Sequence, residues 1–415
     1  METYQRLLGE IEQIPAIDVH SHISLDSPVA SDLSQIALYH FISSELETAG
    51  VDPAIFDVES PKKKLARAAA GFASVRNTAS CWCLEQILGD LFNLSLPHEI
   101  TDIDNAFDCV QSLAGQPEWT REVLKRANVS KVLVCIDWRK PLSSNEDVFA
   151  PILRVDSLVN EAHSARTLDQ LGKATGQSVY EVGELKKAIS ELLGNAKRQG
   201  AVAVGAAFEP QIDFVPGDRE SAGSVLSLAL LGQKIAREDR KAIRSYVLDI
   251  VLNCCAEYEL PFQLMLGVRH VQASDRAITG YESTSAAMYA DLFRRHSDTT
   301  FDVFVSDATI CHELLVLARN YANVLLSGAW WYLQFPSSIR RILRDRIEML
   351  PMTKSCAFIS DAHCVEWVYG RARLVRKELA LTLSQLVSEG YLSFETSLEI
   401  ARNYLQDNPK RVYKI

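Results

Sequence analysis

No stretch of this chain is both long and charge-free enough to cross a bilayer, and the opening Met1-Glu2-Thr3-Tyr4-Gln5-Arg6 is not a basic segment followed by an apolar one. Neither membrane insertion nor export is expected, and the expected location is the cytoplasm. Excess positive charge is also missing. Lys and Arg number 43 against 53 Asp and Glu, a net charge of −10, which argues against a nucleic-acid partner. The basic run Lys62-Lys63-Lys64 is too short to reverse that and reads as a solvated helix start after Pro61. Nine cysteines, an odd number with neighbours such as Cys81/Cys83 and Cys254-Cys255, make neither a disulfide framework nor a C-x-x-C zinc pattern. Reduced core thiols are expected. No Gly-x-Gly-x-x-Gly follows a strand, so Gly205, Gly267 and Gly328 read as strand-end turns and not as phosphate cradles.

What is present is apolar material: 47% hydrophobic residues over 415, ample for a sizeable core in one large domain or two. Within it one stretch stands out, Ala16-Ile17-Asp18-Val19-His20-Ser21-His22, a short apolar run ending in two histidines one residue apart. On a strand, side chains alternate faces, so His20 and His22 project the same way, roughly 7 Å apart along the strand, and can grip one ion. A borderline divalent metal suits two imidazoles. The alternative is a chance pair on a wet loop, or two histidines satisfied by backbone groups. The lead-in Ile14-Pro15-Ala16-Ile17 favours a buried strand that meets solvent only at its C-terminal tip.

Strand and helix patterns then alternate along the chain. After His22 come about a hundred residues of helical character, near 32–49, 62–73, 83–92, 104–113 and 118–127, read as an insertion over 30–127. Strand signals recur at 131–137, 152–156, 201–208, 262–267, 301–306, 323–328 and 356–361, with helical stretches between them and an amphipathic pair at 365–389 and 394–407. With the first strand these make eight, the pattern of a (β/α)8 TIM barrel over 1–415. A doubly wound open sheet would show the same alternation. Polar residues at the predicted strand tips favour the barrel, whose mouth would gather His20 and His22, Asp137 and Asp361. Glu209 and Asp307 stand at two further tips, where each could line the mouth or cap the next helix.

In Ile359-Ser360-Asp361-Ala362-His363 the carboxylate falls on the last strand, beside the first once a barrel closes. Asp361 could ligate an ion or take a proton; it could instead be the N-cap of the helix beginning near Val365. The other histidines weighed, His40, His98, His163, His296 and His312, fall in predicted helices or connections and read as ordinary surface or capped residues.

These motifs together resemble the amidohydrolase superfamily of metal-dependent (β/α)8 barrels, and within it the uronate isomerases. Asp18-Val19-His20-Ser21-His22 is similar to the family's first-strand metal motif, Arg76-Asn77-Thr78 with Trp82 and Leu84 to part of its helical insertion, and Ser360-Asp361 to its eighth-strand metal and base position. Pro151-Ile152-Leu153-Arg154-Val155-Asp156 resembles the third-strand segment with a substrate-binding arginine, Phe262-Gln263-Leu264-Met265-Leu266-Gly267-Val268-Arg269 the fifth-strand motif, and Gly328-Ala329-Trp330-Trp331 the seventh-strand tip.

The resemblance implies one divalent ion, best matched by zinc, held by His20, His22 and Asp361. It implies Asp361 and His363 as the proton-transfer residues. Arg154 or Arg269 would pair with the carboxylate of a small anionic substrate, and Trp330 and Trp331 would wall the sugar, buried packing being an equally good account of at least one of them. The sequence departs from the family in three places. Met265 stands where the fifth strand usually presents a histidine, and His270, also placed among the substrate-binding residues, would replace it only if its loop folds back. His363 stands where the isomerases carry an arginine, and Asp137-Trp138-Arg139 replaces a more acidic tip. The expected activity is aldose–ketose isomerisation of a sugar acid. The alternatives are a metal-dependent hydrolase of a small amide, ester or lactone, and a catalytically silent sugar-acid-binding barrel. Apolar faces on the insertion could support a homo-oligomer.

Overall fold

The computed structural model describes residues 2–57, 60–142, 147–209, 214–270, 277–279 and 286–415. Eight strands form one sheet: β1 (Ala16–Ser21), β2 (Val129–Asp137), β3 (Phe149–Arg154), β4 (Ala203–Phe208), β5 (Phe262–Leu266), β8 (Phe301–Val305), β9 (Val324–Ser327) and β10 (Ser355–Cys356). Two more, β6 (Val268–His270) and β7 (Ala277–Thr279), pair antiparallel as a separate two-stranded sheet that the sequence pattern did not signal. The sheet order follows the chain, β1-β2-β3-β4-β5-β8-β9-β10. A doubly wound sheet would reverse direction at a switch point; here each strand is added on the same side, with helices in the crossovers except between β2 and β3, where the described residues hold none, and the result is a nearly closed eight-stranded barrel.

Closure depends on residues beyond the last assigned strand. The strand expected over 356–361 is only Ser355–Cys356 by its pairing with β9. The chain nevertheless runs on alongside β1, with Val19 N donating to Phe358 O (3.3 Å), Asp361 N to His20 O (3.1 Å) and His22 N to Ala362 O (2.8 Å). This irregular ladder puts the eighth tip against the first. Asp361 is not a helix cap: Cys364 precedes the helix Val365–Ser388.

The chain divides into two compact units. One comprises Met1–Val132, Gln334–Arg344 and Ala357–Gln406. Its centre is the helix Val365–Ser388, buried on nearly every face and packed against the helices Glu2–Glu12, Ala79–Phe92 and Trp119–Arg126. At Gly370 a Cβ would stand 2.8 Å from Ile87 Cδ1 and 3.1 Å from Cys83 O, so glycine sets the approach to Ala79–Phe92. The buried carboxylate of Glu366 accepts from the Trp119 indole (2.9 Å) and from Ala30 N (3.1 Å), tying this helix to both ends of the inserted segment. The insertion's helices start on side-chain caps: Asp32 accepts from Ser34 N and Gln35 N, Thr78 from Cys81 N, and Asp102 from Asn105 N. Contrary to expectation, the large apolar side chains exposed among the described residues, such as Tyr180, Leu231 and Tyr391, lie outside the insertion.

The other unit comprises Leu133–Leu333, Asp345–Cys356 and Asp407–Ile415. Parallel pairing sets Phe262 beside Phe301 and Gln263 beside Asp302, so an apolar layer is followed at once by a buried polar one. Tyr413, near the C-terminus, accepts from Gln263 Nε2 (2.8 Å) and donates a short hydrogen bond to Asp302. Burial pushes the Asp302 carboxyl up to about 6, against that hydrogen bond and the charge of Arg346. Because the folded value lies above the unfolded one, the folded state binds this proton more tightly. The stabilisation is complete below about pH 4 and is lost as pH rises through 6. Asp302→Asn is expected to flatten that part of the stability curve, a change on the order of 3 kcal/mol at about 1.4 kcal/mol per unit, measured by urea unfolding between pH 4 and 7. A parallel pH dependence in the variant would refute the assignment.

Candidate metal centre

All six residues of β1 are buried, and alternation sends His20 and His22 to the same side. Their rings meet edge to face with centroids 5.1 Å apart. Asp18, on the same side, is fully buried. It accepts from Ser360 N (2.8 Å), from the Ser360 hydroxyl and from the backbone N of His20 (3.4 Å). Burial raises its carboxyl to about 7. Asp18 thus fastens the residue before Asp361 to the strand that carries the histidines. Its position in Asp-x-His-x-His was a signal; its role as a clamp was not readable.

Asp361 completes the cluster. Its Oδ1 lies 3.6 Å from His20 Nε2 and 3.3 Å from His22 Nε2, and one ligand atom from each of the three residues falls within 4.8 Å of the others. That Oδ1 is buried and has no hydrogen-bond partner, a costly state for an oxygen shielded from water. A cation among the three donors would satisfy it, and two imidazoles with a carboxylate are a donor set for a borderline divalent ion. Burial alone would raise the Asp361 carboxyl, but the contact with His22 and the charges of His22, His20 and His40 hold it well below the ordinary range.

His363 stacks on His22 at 5.4 Å and 24°. His40 approaches His363 edge-on, also at 5.4 Å. Burial lowers both, His40 to about 4 with help from His363. His40 was set aside in the sequence as an ordinary helix histidine. It does stand on a helix, as the first residue of His40–Thr48, but beside His363, and no spacing signal relates it to β1. His40 and His363 line a pocket of about 490 Å³ with Ser24, Ser27, Gln35 and Tyr39. His22, whose side chain is 35% exposed, is the most open of the three candidate donors.

The remaining predicted residues belong to the other unit. Arg154 ends β3 and is engaged with Asp156 through two hydrogen bonds (2.8 and 2.6 Å), and Asp156 also accepts from Ala207 N (2.6 Å). Trp330 is buried and its indole N–H finds no acceptor among the described residues; it meets the half-exposed Trp331 edge to face at 6.3 Å. Met265 is fully buried in β5. Arg269 and His270 form part of β6, but their side chains lie outside the described residues.

Barrel, closing ladder and donor cluster together define a (β/α)8 barrel with a candidate metal centre where the first and last strands meet. No family model matches the chain. It is similar over nearly its whole length to uronate isomerases: 21% identical to that of Xanthomonas oryzae pv. oryzae, over 99% of this chain and 95% of the relative. The fold is shared with the crystal structure of uronate isomerase from Thermotoga maritima, at a TM-score of 0.90, 16% identity and coverage of 99% and 97% of the two chains. A more distant fold neighbour, from Lactobacillus casei and provisionally named a metal-dependent hydrolase, has a TM-score of 0.63 at 15% identity, covering 98% of this chain and 97% of that one.

Proposed function

We propose that the protein is a uronate-isomerase-like enzyme that interconverts the aldose and ketose forms of a sugar acid. The observation that carries this is a buried Asp361 oxygen, without a hydrogen bond, set 3.6 and 3.3 Å from two imidazoles, in a chain similar over nearly its whole length to uronate isomerases. His20, His22 and Asp361 would hold the ion, with zinc the best match to the donors. When bound, it supplies Lewis acidity toward a substrate oxygen.

The reaction moves one proton from C2 of the aldose to C1 and another between the neighbouring oxygens, with no net change in composition. His363 lines the pocket beside Asp361, and an imidazole there can take up one proton and return it. His40 meets His363 edge-on and lines the same pocket, so it is placed to orient that ring. Arg154 is held by Asp156, which leaves Arg269 as the better candidate for the substrate carboxylate. Trp330 and Trp331 are the candidate sugar wall. The substrate in this reading is a free anionic small molecule; no helix among the described residues is long and apolar enough to cross a membrane.

The histidine at 363, where the isomerases carry arginine, keeps hydrolysis as the second reading. The test is to offer the zinc-loaded protein a panel of uronic acids and, separately, sugar lactones. Ketose formed from a uronate, lost in His363→Ala with metal content unchanged, is the expected result. Lactone opening without any ketose would overturn isomerisation in favour of hydrolysis, and no turnover of either with metal bound would favour a silent barrel.

A further inference from the structure

Asp361 adopts φ +55°, the left-handed region that an L side chain enters at a cost, Asp less than most. Both sides of this residue are tied. Its N–H donates to His20 O (3.1 Å), and its carbonyl accepts from the Tyr39 hydroxyl (2.9 Å). The next carbonyl, Ala362 O, is held by His22 N (2.8 Å). Tyr39 thus bonds to backbone at the one residue whose conformation turns a carboxylate toward two imidazoles.

Tyr39 has little freedom to do otherwise. It is 6% exposed, and its ring stacks on Trp367 with centroids 4.2 Å apart and planes at 21°. Trp367 is fully buried and fixed by its indole N–H to Ile36 O (3.1 Å). On Trp367 and Phe41 lies the buried guanidinium of Arg371, 5.6 Å from each ring centroid, which also donates to Gln334 O (3.3 Å). Cation, indole and phenol form a rigid column from the long helix to the strand tip.

We propose that Tyr39 is a positioning residue: braced by Trp367 and Arg371, its hydroxyl holds the Asp361 peptide in the left-handed conformation that completes the donor cluster. This rests on the metal reading above. Without the hydroxyl, the Asp361 carbonyl loses its partner and the residue is free to relax toward an ordinary conformation, which would turn the carboxylate away from His20 and His22. Outer partners of metal ligands act in this way on affinity and geometry.

The test uses metal-free full-length protein, its Tyr39→Phe variant and, as a change one layer further out, Trp367→Phe, each titrated with Zn2+ against a chromophoric chelator and saturated with Co2+ for ligand-field spectra. Tyr39→Phe is expected to weaken zinc about 10–100-fold and to alter the cobalt bands at saturation, with the metal-free urea midpoint near that of the unaltered protein. A merely structural role would move that midpoint and leave the saturated cobalt spectrum as it was. Trp367→Phe is expected to change both metal readouts in the same direction but less. Unchanged affinity and bands in Tyr39→Phe would overturn the brace, as would an unchanged Trp367→Phe if the first variant did not fold. Failure of the unaltered protein to bind either ion would overturn the metal site itself and the brace with it.

Discussion

His20→Ala is expected to strip the protein of metal and turnover while leaving it folded. His20 is fully buried and supplies one of three donors. Removing a donor should weaken the ion by more than the roughly 10–100-fold that loss of an outer partner costs, beyond retention through purification. The folding cost is smaller, about 1–3 kcal/mol, the ordinary range for a single substitution. The Ser360–Asp18 clamp and the backbone ladder from Val19 to Ala362 do not use the imidazole and remain. Metal analysis beside far-UV circular dichroism separates the two effects. Unchanged metal content in the variant would remove His20 from the site.

The second large effect is on stability. Asp156→Ala takes both hydrogen bonds from the Arg154 guanidinium and orphans Ala207 N. Breaking a fully buried pair by deleting one partner costs about 3–5 kcal/mol; here Asp156 is 32% exposed and Arg154 15%, so about 2–4 kcal/mol is expected. The double change Arg154→Met with Asp156→Leu should recover most of it, since no charge is then left alone. Urea midpoints at neutral pH measure both. A stable Asp156→Ala variant with a lowered KM for a uronate would instead show that Arg154 serves substrate and that Asp156 restrains it.

Arg154 also marks where sequence reading runs out. A strand-end arginine is as good a structural ion-pair partner as a substrate clamp, and Asp156, two residues on, was in plain view without its geometry. Short apolar runs bounded by polar or turn residues located most of the barrel, because strands buried on both faces are short and apolar whatever they pair with. Register with the neighbouring strand was not available, so the last strand was drawn over 356–361. Its regular pairing stops at Cys356, and the chain beyond it continues on single hydrogen bonds to β1.

The three candidate metal donors could be picked out because two stand one residue apart at the end of the first apolar run and the third follows the last one. Tyr39, His40, Trp367 and Arg371 were not, since they come from two helices more than three hundred residues apart in sequence, and only the folded backbone stacks them. Asp18 lay between: its place in the motif was visible, its burial against Ser360 was not.

The most direct measurement of the central claim is proton NMR of a uronic acid, such as glucuronate, incubated in deuterated water with the metal-loaded protein and, in parallel, with His20→Ala. Proton transfer between C2 and C1 at the His20, His22 and Asp361 cluster predicts a growing ketose signal, with deuterium entering the sugar at the carbon that receives the solvent-exchanged proton, and neither change in the variant. Full metal occupancy with no ketose and no exchange from any uronate would contradict it.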